Sequence, residues 1–263
     1  MEMLHSVWSF RGFIRGLVFQ EFRDRSARTI WGHAWMVIEP AVQIGIYVLI
    51  FSSVLQAKLP GNSDRLAYSI YLCSGLLAWN FFANLLLQGR TLFLDHADLL
   101  RTMRFPRSAL AIALLGRNAI HAGVPIVLFL ILIVLMGRWP GSIVLAALPF
   151  LLIQTLLGLG LAVLVGTLNV FIRDVGAFVG VAVQFWFWLT PIVYPVEIVP
   201  EAARKLLDWN PMRHVVGAYQ RVLVEGAPPD WSTLIPLSIL TFVVVGGSWL
   251  AFRRLSPDLV DEL

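Results

Sequence analysis

The sequence contains few groups that could perform chemistry. Its 263 residues include one cysteine, Cys73, and two lysines, Lys58 and Lys205. A single cysteine excludes an intrachain disulfide and a cysteine-rich metal site. Neither lysine follows a glycine, so the chain has no phosphate-binding loop and cannot bind ATP in that way. The pair of carboxylates Asp95 and Asp98 is better explained by helix capping than by metal binding.

Charge is also scarce. Charged residues make up 14% of the chain and apolar residues 58%. Six long stretches are almost free of charge, and Glu39 is the only charged residue within them. About 20 apolar residues in a helix cross a hydrocarbon core of roughly 30 Å. Because lipid cannot satisfy free backbone N–H and C=O groups, these stretches should be helical. We therefore predict an all-α integral membrane protein with six transmembrane helices and no separate soluble domain.

The predicted elements form a single transmembrane domain, residues 1–263. They are an N-terminal interfacial helix (4–28), transmembrane helices one (31–57) and two (67–90), a short cytoplasmic helix (94–105), transmembrane helices three (109–137), four (142–172) and five (175–196), two short re-entrant periplasmic helices (200–225), and transmembrane helix six (231–252).

Positive residues indicate the orientation. Twelve Lys and Arg residues lie in the termini and in the connections on the same side, and seven lie in the opposite connections. Cytoplasmic loops carry an excess of positive charge, so both termini are predicted to be cytoplasmic. The net charge of +4 is dispersed over short loops. It therefore indicates membrane orientation rather than binding to nucleic acid.

Two segments outside the spans have helical patterns. Residues 4–22 place apolar positions on one face, with Arg11 and Arg15 beside it. Such a helix lies in the membrane interface or packs on its own bundle, and both interpretations stay open. The segment 94–105 begins with acidic residues and ends with basic ones, which complements the helix dipole. It is either a solvated surface turn or a helix that a peripheral partner contacts.

Glu39 lies one to two turns inside the first span, next to Pro40. An acidic group in lipid is costly and indicates a functional site. The alternative is that Glu39 lies near the cytoplasmic interface and pairs with a basic neighbour. A secondary transporter should show further ionisable groups near the midplane. Since those groups and any internal repeat are absent, the sequence favours a pathway that another subunit drives.

Several segments, in their order and spacing, resemble the permease subunit of bacterial ABC exporters of polysaccharides, which carry O-antigen, capsule or wall teichoic acid. They are Trp31–Trp35 with Glu39-Pro40, Gly75–Phe82, Phe105–Arg107, Leu168–Asp174, and Leu189–Pro195 followed by Asn210–Met212. Each segment alone is a weak signal, but together they extend along nearly the whole chain. Residues 67–77 are most similar to the O-antigen members.

The resemblance implies a homodimer in the bacterial inner membrane, working with two copies of a cytoplasmic ATPase subunit. ATP and magnesium would bind to that partner, and this chain would bind no cofactor and catalyse no reaction. The segment 94–105 would be a coupling helix on the ATPase, with contacts from Asp95, Asp98, Leu99, Arg101 and Met103. The N-terminal helix would lie at the cytoplasmic gate, and the helices in 200–225 would form a periplasmic gate.

The implied substrate is a polysaccharide on a polyprenyl pyrophosphate lipid. We predict that Arg23, Arg25 and Arg28 recognise the pyrophosphate where the substrate enters, because arginine binds phosphate in a bidentate way. Positive-inside anchoring is the alternative for each of them. Aromatic rings can stack on sugars, and the candidate channel-lining rings are Trp35, Tyr47, Trp186, Trp188 and Tyr194. The alternative for these rings is an interfacial aromatic belt.

Two other functional classes remain to be compared. An integral membrane enzyme acting on polyprenyl-phosphate sugars would gather carboxylates at one membrane face to hold a metal and a phosphate. The acidic residues of this chain are scattered instead. An ion channel or small secondary carrier is disfavoured because midplane charges are missing. The sequence therefore favours a transport subunit, with membrane lipid, a second copy and an ATPase as partners.

Overall fold

The structure is a computed structural model, and it describes residues 10–26, 31–54, 58–61, 64, 66–103, 105–259 and 262–263, leaving aside the side chains of residues 20–26 and of His33. Within these residues the chain forms helices and turns and no strand. The α-helices are α1 (Arg11–Ser26), α2 (Trp35–Leu49), α3 (Ala67–Gly89), α4 (Ala97–Thr102), α5 (Ser108–Leu135), α6 (Leu148–Phe171), α7 (Asp174–Leu189), α8 (Glu201–Leu207), α9 (Pro211–Gln220) and α10 (Leu234–Leu255).

Short helical turns of other types extend several of these helices. A π-helical turn, Ile50–Val54, continues α2, and another, Arg221–Glu225, follows α9. Turns of 3₁₀ helix, Gly141–Ala147 and Trp231–Thr233, lead into α6 and α10. With these extensions, five helical segments of the described chain are long and apolar enough to cross a membrane. The prediction of an all-α integral membrane protein is therefore confirmed.

The fifth predicted span differs from its expected length. Helix α7 has 16 residues, about 24 Å, which is shorter than a hydrocarbon core of roughly 30 Å. It ends at Leu189 because Thr190 has an extended backbone and Pro191 follows. A residue before proline disfavours the helical conformation. The prediction of one continuous helix over 175–196 was therefore wrong for residues 190–195, which run without helical structure towards Val196.

Helix α3 is at the centre of the bundle. Most of its residues are buried, and it packs against α5, α6 and α9. Its closest neighbour is α6, where Gly89 faces Ala162 and Gly166. A Cβ atom at Gly166 would overlap the carbonyl oxygen of Gly89. Small residues at such crossings let two backbones approach closely, so the α3–α6 pair forms the rigid core of the protomer.

The first described helix packs along α5. Ile14 and Val18 are buried in a cluster with α5, and a Cβ on Gly116 would lie 2.9 Å from a methyl group of Val18. Arg11 and Arg15 are exposed on the other side of α1. This is the arrangement expected of an amphipathic helix packed on its own bundle. Residues 4–9 and 27–28 of the predicted interfacial helix lie outside the described residues.

The bundle has two ends, which we name by their short helices. The α4 end contains α4, the start of α5 and residues 256–259. There Arg107 donates a hydrogen bond of 2.6 Å to Oγ of Ser256, and Leu259 is fully buried. The α9 end contains residues 190–195, α8 and α9. Because Met212 and Val216 are fully buried, α9 is embedded in the bundle, whereas most of α8 is exposed. The re-entrant placement of 200–225 remains a prediction.

Candidate functional site

Arg90, Asn169 and Gly176 join three helices at the α4 end. Nδ2 of Asn169 donates a hydrogen bond of 2.7 Å to the carbonyl of Arg90, and its Oδ1 accepts one of 2.7 Å from the backbone N–H of Gly176. The guanidinium of Arg90 donates to the carbonyl of Gly176 at 2.8 Å. Both halves of a buried amide are thus satisfied. The end of α3 is therefore fixed to the first turn of α7.

Helix α4 follows α3 after a series of turns and is shorter than the predicted segment 94–105. It ends at Thr102 because Met103 has an extended backbone. Asp98 in its first turn and Arg101 in its last turn both complement the helix dipole. The side chains of Asp95, Asp98, Arg101 and Met103 are exposed, Leu99 is half-buried and Leu100 is buried. The outer face of α4 is consequently a mixed-charge surface with one exposed thioether.

The inner face of α4 is firmly packed. Leu100 belongs to a buried cluster that also contains Phe93, Leu110 and Leu259. These residues come from the turn before α4, from α5 and from the C-terminal segment. The cluster thus packs α4 against the turn that follows α3.

At the α9 end, Asn210 fixes the start of α9 to the end of α7. Its Oδ1 accepts hydrogen bonds from the indole N–H of Trp186 at 2.8 Å and from the backbone N–H of Met212 at 3.0 Å. Its Nδ2 donates to the carbonyl of Leu189 at 3.0 Å and to Oγ1 of Thr190 at 2.9 Å. Asn210 is therefore both the N-cap of α9 and the anchor of the residues where α7 stops.

The segment after α7 is held by residues of α3. The hydroxyl of Tyr71 donates to the carbonyls of Pro191 at 3.1 Å and Tyr194 at 3.0 Å, and Tyr68 donates to the carbonyl of Val193. These bonds satisfy carbonyls that a continuous helix would have paired internally. The non-helical segment is thus a defined part of the fold, supported by the central helix.

A cavity of about 560 Å³ lies at the α9 end. Its titratable lining residues other than Tyr71 are Glu197, Arg213, His214, Arg221, Glu225 and Asp230. The Nε2 atom of His214 is 2.8 Å from the carbonyl oxygen of Asp208, so the neutral ring donates a hydrogen bond there. Burial and then the positive charge of Arg213 lower the pKa of His214, against a smaller opposite effect of Asp230. His214 is therefore neutral at pH 7.

A sequence model of the ABC-2 type transporters matches residues 14–224, which run from α1 to the turn after α9. The chain belongs to the ABC-2 type transporter family. The matched residues include α4, the hydrogen bonds around Asn169 and the anchor at Asn210. As a member of a transporter family, the chain is a transport subunit rather than an enzyme, and the alternative of a membrane enzyme is not favoured.

Curated relatives agree with this family. The chain is 28% identical to the O-antigen export system permease protein RfbA of Myxococcus xanthus over 265 residues, covering 100% of both chains. It is 24% identical to RfbA of Klebsiella pneumoniae over 245 residues, covering 93% of this chain and 92% of that protein. It is 23% identical to the polysialic acid transport protein KpsM of Escherichia coli, covering 88% of this chain and 89% of that protein. The resemblance to polysaccharide exporter permeases is thereby confirmed.

In this ABC-2 protein the predicted coupling residues share one region. Asp95, Asp98, Arg101 and Met103 are exposed at the α4 end, and Leu99 is half-buried beside them. The side chains of the predicted pyrophosphate patch, Arg23, Arg25 and Arg28, lie outside the described residues. That patch remains a prediction.

The five rings predicted to line the channel differ in their exposure and in their contacts. Trp35 and Trp188 are 49% and 60% exposed. Tyr47 is half-buried and accepts a hydrogen bond of 3.1 Å from Gln43, and the half-buried Tyr194 donates one of 2.8 Å to the carbonyl of Trp188. Trp186 packs edge-on against Trp79 and Phe82, so it also has a structural role within the protomer. The channel role of all five rings remains a prediction.

Sequence reasoning did not assign roles to Arg90, Asn169 or Asn210. The two asparagines occur in segments that carried the family resemblance, which was the available signal. What the sequence could not show was their bonding partners, which lie on other helices. Glu39 is exposed on α2 and lines a second cavity with Trp35.

Proposed function

We propose that this chain is the permease subunit of an ABC exporter that moves a lipid-linked polysaccharide, O-antigen, out of the cytoplasm with ATP hydrolysed by a separate subunit. The observation that carries the proposal is the end-to-end similarity to an O-antigen export system permease, which covers 100% of both chains. The excess of positive charge on the side of the termini supports a cytoplasmic α4 end and an inner-membrane location.

The proposed energy source lies outside this chain. The sequence has no Walker A motif, so ATP and Mg²⁺ bind to a cytoplasmic ATPase subunit and the permease binds no cofactor. Helix α4 offers that subunit a surface of both charges around Met103, which is 50% exposed. A charged rim around an apolar contact is a common arrangement in specific interfaces. Two ATPase copies would bind two permease copies.

The proposed homodimer is supported by helices that have open apolar faces within one protomer. Helix α2 with its π turn is the least buried of the five long segments. Helix α7 exposes Phe178, Val181, Phe185 and Trp188. In the proposed dimer, α2 and α7 of the two protomers enclose the path of the polymer, and Trp35 and Trp188 provide exposed rings along it. The remaining apolar surface contacts lipid.

The proposed coupling runs through bonds at the α4 end. Closure of the ATPase pushes α4, whose buried Leu100 moves with the turn that carries Arg90. Since Arg90 and Asn169 both hold Gly176, the first turn of α7 follows. Rotation of α7 then opens or closes the path. Trp186 and Asn210 connect the other end of α7 to α9, so the proposed periplasmic gate responds to the same movement.

The experiment that tests the function uses the permease and its ATPase partner, co-expressed and reconstituted in liposomes. Uptake of a lipid-linked O-antigen should require ATP and both subunits. The double variant Asp98→Arg with Met103→Glu changes two exposed side chains of α4. It should reduce transport at least tenfold while the ATPase continues to hydrolyse ATP.

Lys58→Glu is the matched control, because it reverses an exposed charge that no part of the proposed coupling uses. It should transport normally. Transport by the permease alone, or unchanged coupled transport by the α4 variant, would contradict the proposal. The triple variant Arg23→Gln, Arg25→Gln and Arg28→Gln separately tests the phosphate patch. It should impair export while membrane insertion and ATPase assembly persist.

A further inference from the structure

A cavity of about 630 Å³, lined by both polar and apolar residues, lies between α2, α3 and α5 of one protomer and is open at its surface. We call it the amide groove and define it by Glu39 and Gln43 of α2, Asn80, Asn84 and Gln88 of α3, and His121 of α5. Its volume is within the range of small-molecule sites. The groove is separate from the cavity at the α9 end.

The polar residues of the groove are arranged in helical rows. Asn80, Asn84 and Gln88 follow one another at intervals of four residues, so they lie on one face of α3. Glu39 and Gln43 have the same spacing on α2. The rows come from the first turns of α2 and the last turns of α3, and both of those regions belong to the α4-end half of the bundle. At about 1.5 Å per residue, the row on α3 extends roughly 12 Å along the helix.

The amides of the groove differ in their hydrogen bonds from three buried amides of the bundle; the buried side chain of Asn118 on α5 also has no partner within the described residues. Gln154, Asn169 and Asn210 are buried, and each uses both its oxygen and its nitrogen. The side chains of Asn80 and Asn84 are exposed to the groove, and they make no hydrogen bond within the described part of the chain. Oε1 of Gln88 is buried and also has no partner there.

Unpaired amides are costly at this depth. A polar group moved from water to an apolar environment loses free energy unless a hydrogen bond replaces its water. Polar side chains inside a membrane therefore mark binding sites or pathways. Three amides with unpaired polar atoms lie next to one another on one face of α3. They indicate a ligand that offers several donors and acceptors close together.

The charge and the hydrogen-bonding groups of the residues that line the groove limit which ligands can bind there. The described lining of the groove contains no lysine or arginine, and it includes the carboxylate of Glu39. A phosphate would require the opposite charge. Amides both donate and accept, and carboxylates accept, which suits a neutral molecule rich in hydroxyl groups. Trp35 and Phe81 add aromatic rings to the same cavity, and these can cover the apolar face of a sugar.

We propose that the amide groove binds a sugar ring of the transported glycolipid before transport. This inference rests on the proposed function, because it takes the α4 end as the side where substrate is loaded. The groove then lies in the cytoplasmic half of the membrane, beside the leaflet that supplies the lipid. It holds the sugar nearest the lipid, while positive residues elsewhere bind the pyrophosphate.

The first experiment measures binding to the permease–ATPase complex in lipid nanodiscs. One probe is a polyprenyl pyrophosphate carrying a single N-acetylhexosamine, and the other is the same lipid without the sugar. In the double variant Asn80→Leu with Asn84→Leu, the sugar-bearing probe should bind at least tenfold more weakly, and the sugar-free probe should bind as to the wild type. The control is Thr155→Val, a polar residue of α6 outside the groove.

Equal binding of the sugar-bearing probe to the double variant and the wild type would overturn the inference. An equal loss of binding for both probes would also overturn it, because the groove would then not recognise the sugar. If the wild-type complex transports no glycolipid, the proposed function itself fails. If it transports glycolipid but the double variant binds the sugar-bearing probe normally, the groove proposal alone fails.

A second experiment tests whether the groove is a contact between two copies. Cys73 is the only cysteine and is buried, so Cys73→Ala with Asn84→Cys places one thiol in the groove. The sugar-bearing probe should slow its reaction with a small maleimide at least fivefold, and the sugar-free probe should not. Oxidative cross-linking of two permeases through this thiol, or no protection by the sugar, would contradict the proposal.

Discussion

The indole N–H of Trp186 donates a hydrogen bond of 2.8 Å to Oδ1 of Asn210, although the two residues belong to different helices. The bond joins the last turn of α7 to the first residue before α9. The side chain of Asn210 makes three further hydrogen bonds, to Met212, Leu189 and Thr190. One amide thus defines where one helix stops and the next begins.

Replacing that amide should destabilise the α9 end. Asn210→Ala removes four hydrogen bonds and an N-cap, and we expect the free energy of unfolding to fall by about 2–4 kcal/mol. Trp186→Phe keeps most of the ring packing and removes one bond, so its loss should be about 1 kcal/mol. Denaturant unfolding of the purified protein in detergent measures both. Equal stability of Asn210→Ala and the wild type would show that this anchor is unimportant.

The close approach of α3 and α6 predicts a contrast between two glycines. A methyl group at Gly166 would overlap the backbone of Gly89, whereas one at Gly246 of α10 would meet no atom within 4 Å. Gly166→Ala should lower the free energy of unfolding by about 1–3 kcal/mol, as overpacking does. Gly246→Ala should have no destabilising effect. The reverse order of the two melting temperatures would refute the packing described for α3 and α6.

Arg90 should matter for coupling more than for stability. Arg90→Met removes the hydrogen bond to the carbonyl of Gly176 but keeps an unbranched apolar stem. We expect at least a tenfold fall in polysaccharide transported per ATP hydrolysed in proteoliposomes. Arg254→Met, which removes an exposed arginine near the same end, is the control and should stay coupled. If both variants transport equally, α7 receives its movement by another route.

The lowered pKa of His214 predicts that acid reduces the free energy of unfolding. Its pKa is lowered in the folded chain by burial and by Arg213, while the unfolded value is about 6.5. Below that pH the unfolded chain binds more protons than the folded one, so the free energy of unfolding falls as the pH falls. His214→Gln should lose less stability than the wild type between pH 7 and pH 5. Identical pH profiles of the two proteins would mean that this histidine does not contribute.

The sequence predicted the helical membrane fold because hydrophobic length is a local property. The bounds expected for the second span, 67–90, agree with α3, Ala67–Gly89, since polar residues mark its ends. The end of α7 was missed although Pro191 is a local stop signal, and the path of the residues after it depends on partners in α3. Tyr68 and Tyr71 donate hydrogen bonds to the carbonyls of residues 191, 193 and 194, and nothing local announces those bonds.

The candidate sites also divide into features that the sequence predicted and contacts that only the structure shows. The sequence indicated α4 as a surface for a partner, because the acidic start and basic end of residues 94–105 can be read along the chain. It could not name Gly89 as the neighbour of Gly166 or Arg90 as the link to α7, since those contacts join residues far apart in the chain.

By itself, the sequence determined that this protein is embedded in the lipid bilayer, crosses it as helices and has no phosphate-binding loop for ATP. Those properties follow from composition and from the free-energy cost of exposing backbone groups to hydrocarbon. Only the tertiary structure decided which polar side chains are satisfied. Asn169 and Asn210 have partners on neighbouring helices, whereas Asn80 and Asn84 are exposed to a cavity and have no partner among the residues that the structure describes. The difference depends on packing that no local pattern encodes.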